Sequence, residues 1–123
     1  MIKSLLYIAL GSAMGGCLRY LISRYIHSAY LSTFPIATFF VNILGCFLIG
    51  AIYAVLEREN IMSVNLRLFL TVGFCGGFTT FSTFIHESVQ LLKSEDIFML
   101  IANLSLSIIL GFLAFFIGNI IFR

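Results

Sequence analysis

The chain has 123 residues, of which 61% are hydrophobic and 10% charged, with a formal net charge of +2. Soluble domains carry about 25% charged residues, and a soluble domain of this size still exposes much of its surface to water, which excludes a soluble protein. Intrinsic disorder is excluded too, because disordered chains combine low hydrophobicity with high charge. The composition indicates one small, all-α integral membrane protein.

The charged residues separate four apolar segments. Crossing the hydrocarbon core takes about 20 helical residues, and the segments 4–26, 33–56, 67–90 and 97–122 reach that length. The first segment is the weakest, because Arg19 must lie near an interface or face a polar interior. A cleavable signal peptide is the alternative for this segment, but the apolar pattern continues past Arg19. The sequence therefore predicts a single four-helix membrane domain over residues 1–123.

Lysines and arginines are nearly balanced between the two sides of the membrane. With four helices, one side carries four of them and the other three, namely Lys3, Arg58, Arg67 and Arg123 against Arg19, Arg24 and Lys93. The Lys/Arg difference between short loops sets membrane orientation, and here it almost vanishes. Either another determinant fixes the orientation, or copies insert both ways and pair as an antiparallel homodimer.

Polar side chains inside the second and fourth segments are candidates for function. Thr38 and Asn42 are four residues apart and share one helix face. One turn of helix cannot satisfy both N–H groups and the oxygen of the Asn42 amide, so Asn42 either lines a polar site or joins two helices. Asn103 and Ser107 likewise share a face of the fourth segment, whereas Ser105 lies off it.

The third segment has the densest polar pattern. Gly76 and Gly77 weaken helix in the middle of the span, and hydroxyl residues then alternate with phenylalanines. We expect a mid-membrane break at this pair, which would free backbone groups to line a cavity. Freed carbonyls suit a hard cation, while N–H groups and aromatic ring edges suit an anion. The alternative is a bent helix whose hydroxyls bond back to its own backbone.

Motifs of catalysis and metal binding are missing from the sequence. Cys17, Cys46 and Cys75 form no CxxC pair, and His27 and His86 lie far apart. The sequence contains no GxSxG, Walker or HExxH motif. We therefore expect neither an enzyme nor a nucleic-acid-binding protein.

Three segments carry a specific resemblance. GGFTTFSTF at 76–84, VNILGCFLIG at 41–50 and GGCLRY at 15–20 resemble the Fluc (CrcB) family of fluoride channels, and the similarity covers essentially the whole chain. The resemblance implies a multi-pass protein of the bacterial cytoplasmic (inner) membrane. It also implies an antiparallel, dual-topology homodimer with two separate fluoride pathways, which exports cytoplasmic fluoride passively and so reduces its toxicity.

The resemblance further implies roles for individual residues. A structural sodium ion, not transported, would lie at the dimer centre on the backbone oxygens of Gly76 and Thr79 from each chain. The fluoride pathway would contain seven residues: Asn42, Phe81, Phe84, Thr38, Ser107, Thr80 and Ser82. Asn103 stands where many relatives carry tyrosine, so we expect that end of the pathway to be organised differently.

Arg19 and Glu87 form a separate hypothesis. The first and third helices run in the same direction, which places both residues toward one membrane face, where they would form an ion pair at a pore mouth or extend independently.

Two other functions remain open at this point. A small multidrug-type proton-coupled antiporter needs a carboxylate deep in the membrane, and Glu87 lies near a span end. A non-transporting membrane assembly subunit would make no use of the polar residues.

Overall fold

The computed structural model describes residues 1–60 and 63–123, and its regular structure is entirely helical. Helix α1 spans Ile2–Ala29 and α2 spans Ile36–Arg58. Helix α3 consists of three consecutive pieces, Val64–Leu68, Phe69–Cys75 with π-helical spacing, and Gly76–Phe78. After an interruption, α4 spans Ser82–Lys93, and α5 spans Ile97–Phe122.

Four helical stretches are long and apolar enough to cross a membrane, with α3 and α4 together forming the third, Val64–Lys93. This confirms the predicted all-α architecture with four spans. Side-chain caps mark where two of the helices begin: the Ser63 hydroxyl accepts from the Leu66 amide, and the Asp96 carboxylate accepts from the Met99 amide.

Close backbone contact joins the helices in two pairs, α1 with α3 and α2 with α5. A Cβ atom at Gly15 would overlap the Phe74 carbonyl oxygen of α3. A Cβ at Gly118 of α5 would likewise overlap the Phe47 carbonyl oxygen of α2. Small residues at such contacts are how helices associate in a membrane, where burial from water no longer drives packing. Large apolar side chains, among them Phe112, lie on the outer surface.

The third span is interrupted at 79–81, three residues beyond the expected position. Gly76 and Gly77 remain helical, and Thr79 is extended, with φ −94° and ψ 160°. The prediction of an interrupted helix is confirmed, but its assignment to the glycine pair was wrong. Gly77 serves packing instead, because a Cβ there would lie 2.6 Å from the carbonyl oxygen of Ser12 in α1.

Candidate functional site

The side chain of Asn42 in α2 hydrogen-bonds the backbone of the interruption. Asn42 Nδ2 donates to the Thr80 carbonyl oxygen at 3.0 Å, and the Thr80 amide donates to Asn42 Oδ1 at 2.9 Å. One amide therefore takes over both backbone groups of a residue that has left the helix. The two interpretations of Asn42 apply together, because it joins two helices and also lines a cavity.

Arg19 of α1 satisfies another carbonyl that the interruption releases. In a continuous helix the Gly77 carbonyl accepts from the amide four residues later. Here the Arg19 Nε–H donates to the Gly77 oxygen at 3.1 Å. A guanidinium has five N–H groups in a planar fork, so four remain for other partners. Arg19 thus anchors the end of α3 and still offers donors to its surroundings.

Two further carbonyls lose their helical donors. The Thr80 amide, which a continuous helix would direct to the Gly76 oxygen, donates to Asn42 instead. The Thr83 amide, whose helical acceptor would be the Thr79 oxygen, donates to the Thr80 hydroxyl at 3.3 Å. Gly76 and Thr79 line the same cavity. Their carbonyl oxygens are therefore free of the intrahelical bonds that would compete for a cation.

A cavity of about 410 Å³ adjoins the interruption, and we call it the break cavity. Three helical stretches contribute the sequence-predicted residues that line it: Asn42, Gly76, Thr79, Thr80, Phe81, Phe84 and Ser107. The rings of Phe81 and Phe84 have centroids 6.1 Å apart and planes at 47°. Phe84 is buried, whereas Phe81 is 75% exposed. The fold thus gathers most of the predicted pathway residues around one space.

A second cavity of about 270 Å³ lies on the other side of Thr80, and we call it the Arg19 cavity. Arg19, Thr38, Thr80 and Glu87 line it together with residues that the sequence did not single out for function, among them Thr83. Thr80 lines both cavities. The break cavity and the Arg19 cavity therefore share one lining residue that belongs to the interruption.

Arg19 and Glu87 line one cavity but do not form the expected ion pair. The only ion pair within 4 Å across residues 1–60 and 63–123 is that of Arg58 with Glu59. Glu87 instead accepts a hydrogen bond from the Thr38 hydroxyl, and Arg19 donates to Gly77. The two side chains line the same cavity, but Arg19 hydrogen-bonds the released Gly77 carbonyl and Glu87 hydrogen-bonds the Thr38 hydroxyl.

A third cavity of about 450 Å³ opens beyond Glu87 near the helix ends. His27 and Glu87 line both this cavity and the Arg19 cavity, and His86 and Asp96 line only the outer one. Sequence reasoning assigned no function to the two histidines, because residues on two different helices show no spacing pattern. We call this space the outer cavity.

Several hydroxyls bond back to their own helix, as the alternative interpretation expects. Thr79 Oγ1 donates to the Cys75 carbonyl at 2.9 Å, and Ser105, exposed and off the polar face, donates to the Ile101 carbonyl at 2.6 Å. Ser82 is exposed and lines none of the three cavities. Thr38 instead donates to Glu87 of another helix, and the Thr80 hydroxyl accepts from the Thr83 amide at the start of α4. The polar pattern is thus partly structural and partly directed at the cavities.

The described residues offer no group of three or more His, Cys, Asp and Glu side chains placed to hold a metal ion. A cation near the interruption would therefore use backbone oxygens, and oxygen ligands suit hard cations. The freed carbonyls of Gly76 and Thr79 fit this requirement, although one chain supplies only two of them.

Comparison with known proteins places these features in a family. A family model described as CrcB-like protein, Camphor Resistance (CrcB), matches residues 6–119. A fluoride-specific ion channel FluC of Flavobacterium psychrophilum is 47% identical over 119 residues, covering 97% of this chain and 96% of the relative. Proteins of the same name from Phocaeicola vulgatus and Leptospira interrogans are 48% identical over 116 residues (94% and 95% covered) and 41% over 109 (89% and 86%).

The contacts of Asn42 predict that two part-buried asparagines, Asn42 and Asn119, differ in their contribution to stability. In Asn42→Leu, both backbone groups of Thr80 lose their partners, at about 1–3 kcal/mol for each unsatisfied group, so we expect the free energy of unfolding to fall by roughly 2 kcal/mol or more. Asn119→Leu is the matched control, because it removes one bond, 3.3 Å long, to the Gly50 carbonyl. Denaturant unfolding in detergent, followed by circular dichroism, measures both variants. Equal losses would contradict the role of Asn42 at the interruption.

Proposed function

The chain belongs to the family of CrcB-like proteins, and on that premise we propose that it is a fluoride-specific ion channel for passive export of cytoplasmic fluoride. The observation that carries the proposal is 47% identity, over 97% of the chain, to a protein named as such a channel. The relatives are ion channels, so the chain is not an enzyme, as the sequence predicted. With its four apolar helices it is a multi-pass membrane protein, which we assign to the bacterial cytoplasmic (inner) membrane.

Donors along the two inner cavities support an anion pathway. Fluoride is small and strongly hydrated, so a pathway must replace its water with N–H and O–H groups. Asn42 has two N–H groups, of which one donates to Thr80 and the other is available to an anion. Arg19 has four N–H groups beyond the one on Gly77. Both side chains can therefore support the interruption and contact fluoride at the same time.

Phe81 and Phe84 complete the proposed pathway in the break cavity. The edge of an aromatic ring carries partial positive charge and attracts an anion weakly. Weak attraction suits conduction, because an ion must leave each site as readily as it enters. Thr38, Thr80 and Ser107 place hydroxyls along the cavity walls. The protons of Thr38 and Ser107 point to Glu87 and Asn103, so these two hydroxyls would donate to fluoride only after turning. Ser82, which lines neither cavity, is the member of the predicted set with the least structural support.

A structural sodium ion is the second part of the proposal. The oxygens of Gly76 and Thr79 would hold it, because both have lost their helical donors and line one cavity. Bound there, the ion would supply a fixed positive charge beside the anion route. Two oxygens are too few for a hard cation, so the remaining ligands would come from a second copy of the chain.

An antiparallel homodimer is the third part. Backbone groups freed at membrane depth must be buried in protein or line a cavity, because lipid cannot satisfy them. Gly76 is exposed in the single chain, and so is the ring of Phe81 beside the break cavity. A second copy packed over this face would cover both. The balance of basic residues, four against three, is consistent with insertion in both orientations.

A proton-coupled antiporter of the small multidrug type is the second candidate. The observation in its favour is Glu87, a half-buried carboxylate that lines two cavities and accepts from Thr38. Such a carboxylate would bind and release the coupled proton. A non-transporting assembly subunit is the remaining alternative, for which the cavities would have no role in transport.

Fluoride efflux from proteoliposomes tests the channel and its residues together. In Phe81→Ile the ring edge is lost, and in Asn42→Asp a negative charge replaces the amide donors. We expect efflux to fall by about tenfold or more in Asn42→Asp, the factor that corresponds to one lost hydrogen bond to a charged group. In Phe81→Ile we expect a smaller fall, because the ring edge attracts the anion only weakly. Phe112→Ile is the matched control, because Phe112 is 65% exposed and lines none of the three cavities.

The same assay, repeated with and without a pH gradient, separates the three functions. Passive flux that is independent of the gradient supports the channel, flux that requires the gradient supports the antiporter, and no flux supports the assembly subunit. Normal efflux from both Phe81→Ile and Asn42→Asp would rule out the assigned pathway.

Cysteine labelling in cells tests the dual topology. After replacement of the native cysteines, a cysteine introduced at Ser94, exposed in the loop between α4 and α5, reports the orientation of each copy. Because the basic residues are balanced, we expect about half of the copies to react with an impermeant reagent from each side. A chain with added arginines in one loop is the oriented control. If the chain without added arginines reacts with the reagent from one side alone, the antiparallel homodimer is excluded.

Exchange of sodium tests the proposed cation. An ion that binds only the folded assembly raises its stability in proportion to the logarithm of concentration, by about 2.7 kcal/mol at a hundred times the dissociation constant. Replacing sodium with N-methylglucamine at constant ionic strength should therefore lower the thermal unfolding midpoint. Replacing the chloride counterion at constant sodium is the control and should leave the midpoint unchanged. An identical midpoint in both cations over a wide concentration range would refute the site.

A further inference from the structure

Asn103 of α5 is almost completely buried, with 1% of its surface exposed. Its Nδ2 donates to the Ser88 hydroxyl of α4 at 3.1 Å, and its Oδ1 accepts from the Ser107 hydroxyl at 3.4 Å. Ser88, itself buried, donates to the Phe84 carbonyl at 2.8 Å. A polar chain therefore runs from Ser107 to the backbone of Phe84, two residues that line the break cavity.

The chain of bonds fixes which way the Asn103 amide points. A serine hydroxyl has one proton, and Ser88 places its proton on the Phe84 carbonyl. Ser88 can then only accept from Asn103, so the NH₂ group of Asn103 faces Ser88 and its oxygen faces Ser107. The proton of Ser107 consequently points into the protein, and its lone pairs remain for the cavity. Lone pairs repel an anion, so Ser107 in this arrangement is not a fluoride donor.

The hydrogen bond between Ser107 and Asn103 is long and therefore weak. Hydroxyl–oxygen hydrogen bonds are commonest at about 2.7–2.8 Å, and this one is 3.4 Å long. Turning the Ser107 hydroxyl toward the cavity would supply a donor to an anion, but it would leave the buried oxygen of Asn103 without a partner. An unpaired buried acceptor carries a free-energy cost, which sets a limit on how tightly Ser107 can hold the ion.

We propose that Asn103 is a positioning residue that competes with the permeating anion for the proton of Ser107. The inference rests on the proposed fluoride channel and deepens it at one site. Asn103 keeps fluoride binding weak in the break cavity, since each Ser107–fluoride contact requires the loss of the Ser107–Asn103 bond. Weak binding favours release, which conduction requires.

Currents in planar bilayers, measured over a range of fluoride concentrations, test this role. Asn103→Leu removes the competing acceptor at similar volume, so we expect the half-saturating fluoride concentration to fall by about two- to tenfold. In a Ser107→Ala background the same substitution should cause no further shift, because the contested proton is gone. Ser105→Ala is the matched control on the exposed face of α5 and should keep the original value.

The outcomes separate this inference from the channel itself. No fluoride current in the unaltered protein would refute the proposed function. Current with an unchanged half-saturating concentration in Asn103→Leu, or an equal shift in the Ser107→Ala background, would overturn the role of Asn103 alone. If Asn103→Leu does not assemble, Ser88→Ala takes its place, because it removes the acceptor that orients the amide. Ser88→Ala should also lower the half-saturating fluoride concentration. An unchanged half-saturating concentration in this variant would overturn the proposal.

Discussion

The structure depends on one constraint: backbone groups at membrane depth need partners within the protein, because lipid provides none. The interruption at 79–81 removes helical partners from several such groups, and two distant side chains supply replacements. Asn42 serves both backbone groups of Thr80, while Arg19 serves the carbonyl of Gly77. The placement of α1 and α2 around the third span follows from these contacts as much as from apolar packing.

The same side chains link stability to the proposed function. An asparagine amide and a guanidinium carry more N–H groups than the interruption consumes, so the remainder can face the cavities. A leucine in place of Asn42 would have no hydrogen-bonding group, and a lysine in place of Arg19 would lack the planar fork of donors. The interruption and the proposed anion route therefore share two side chains, because Asn42 and Arg19 bind released backbone groups and also line the cavities.

Small residues determine how closely the helices can approach. The contacts of Gly15 with Phe74 and of Gly118 with Phe47 bring backbones together, so the short chain holds its four spans without a large apolar core. The break cavity is lined in part by the exposed ring of Phe81, so it lies at the surface of the single chain. The proposed second copy would cover this face.

The number of spans and their approximate limits were determined by the sequence alone, because apolar length and the position of charges are local properties. The sequence also singled out Asn42 by a local argument, because one helix cannot satisfy all the hydrogen-bonding groups of its amide. The tertiary structure decided where the third span breaks, that Arg19 binds Gly77 instead of Glu87, and that Asn103 binds Ser88 of the neighbouring helix. The two bonds to the interruption join residues 38 and 58 positions apart. Which released carbonyl a side chain reaches depends on how distant helices pack, and no pattern within one helix contains that information.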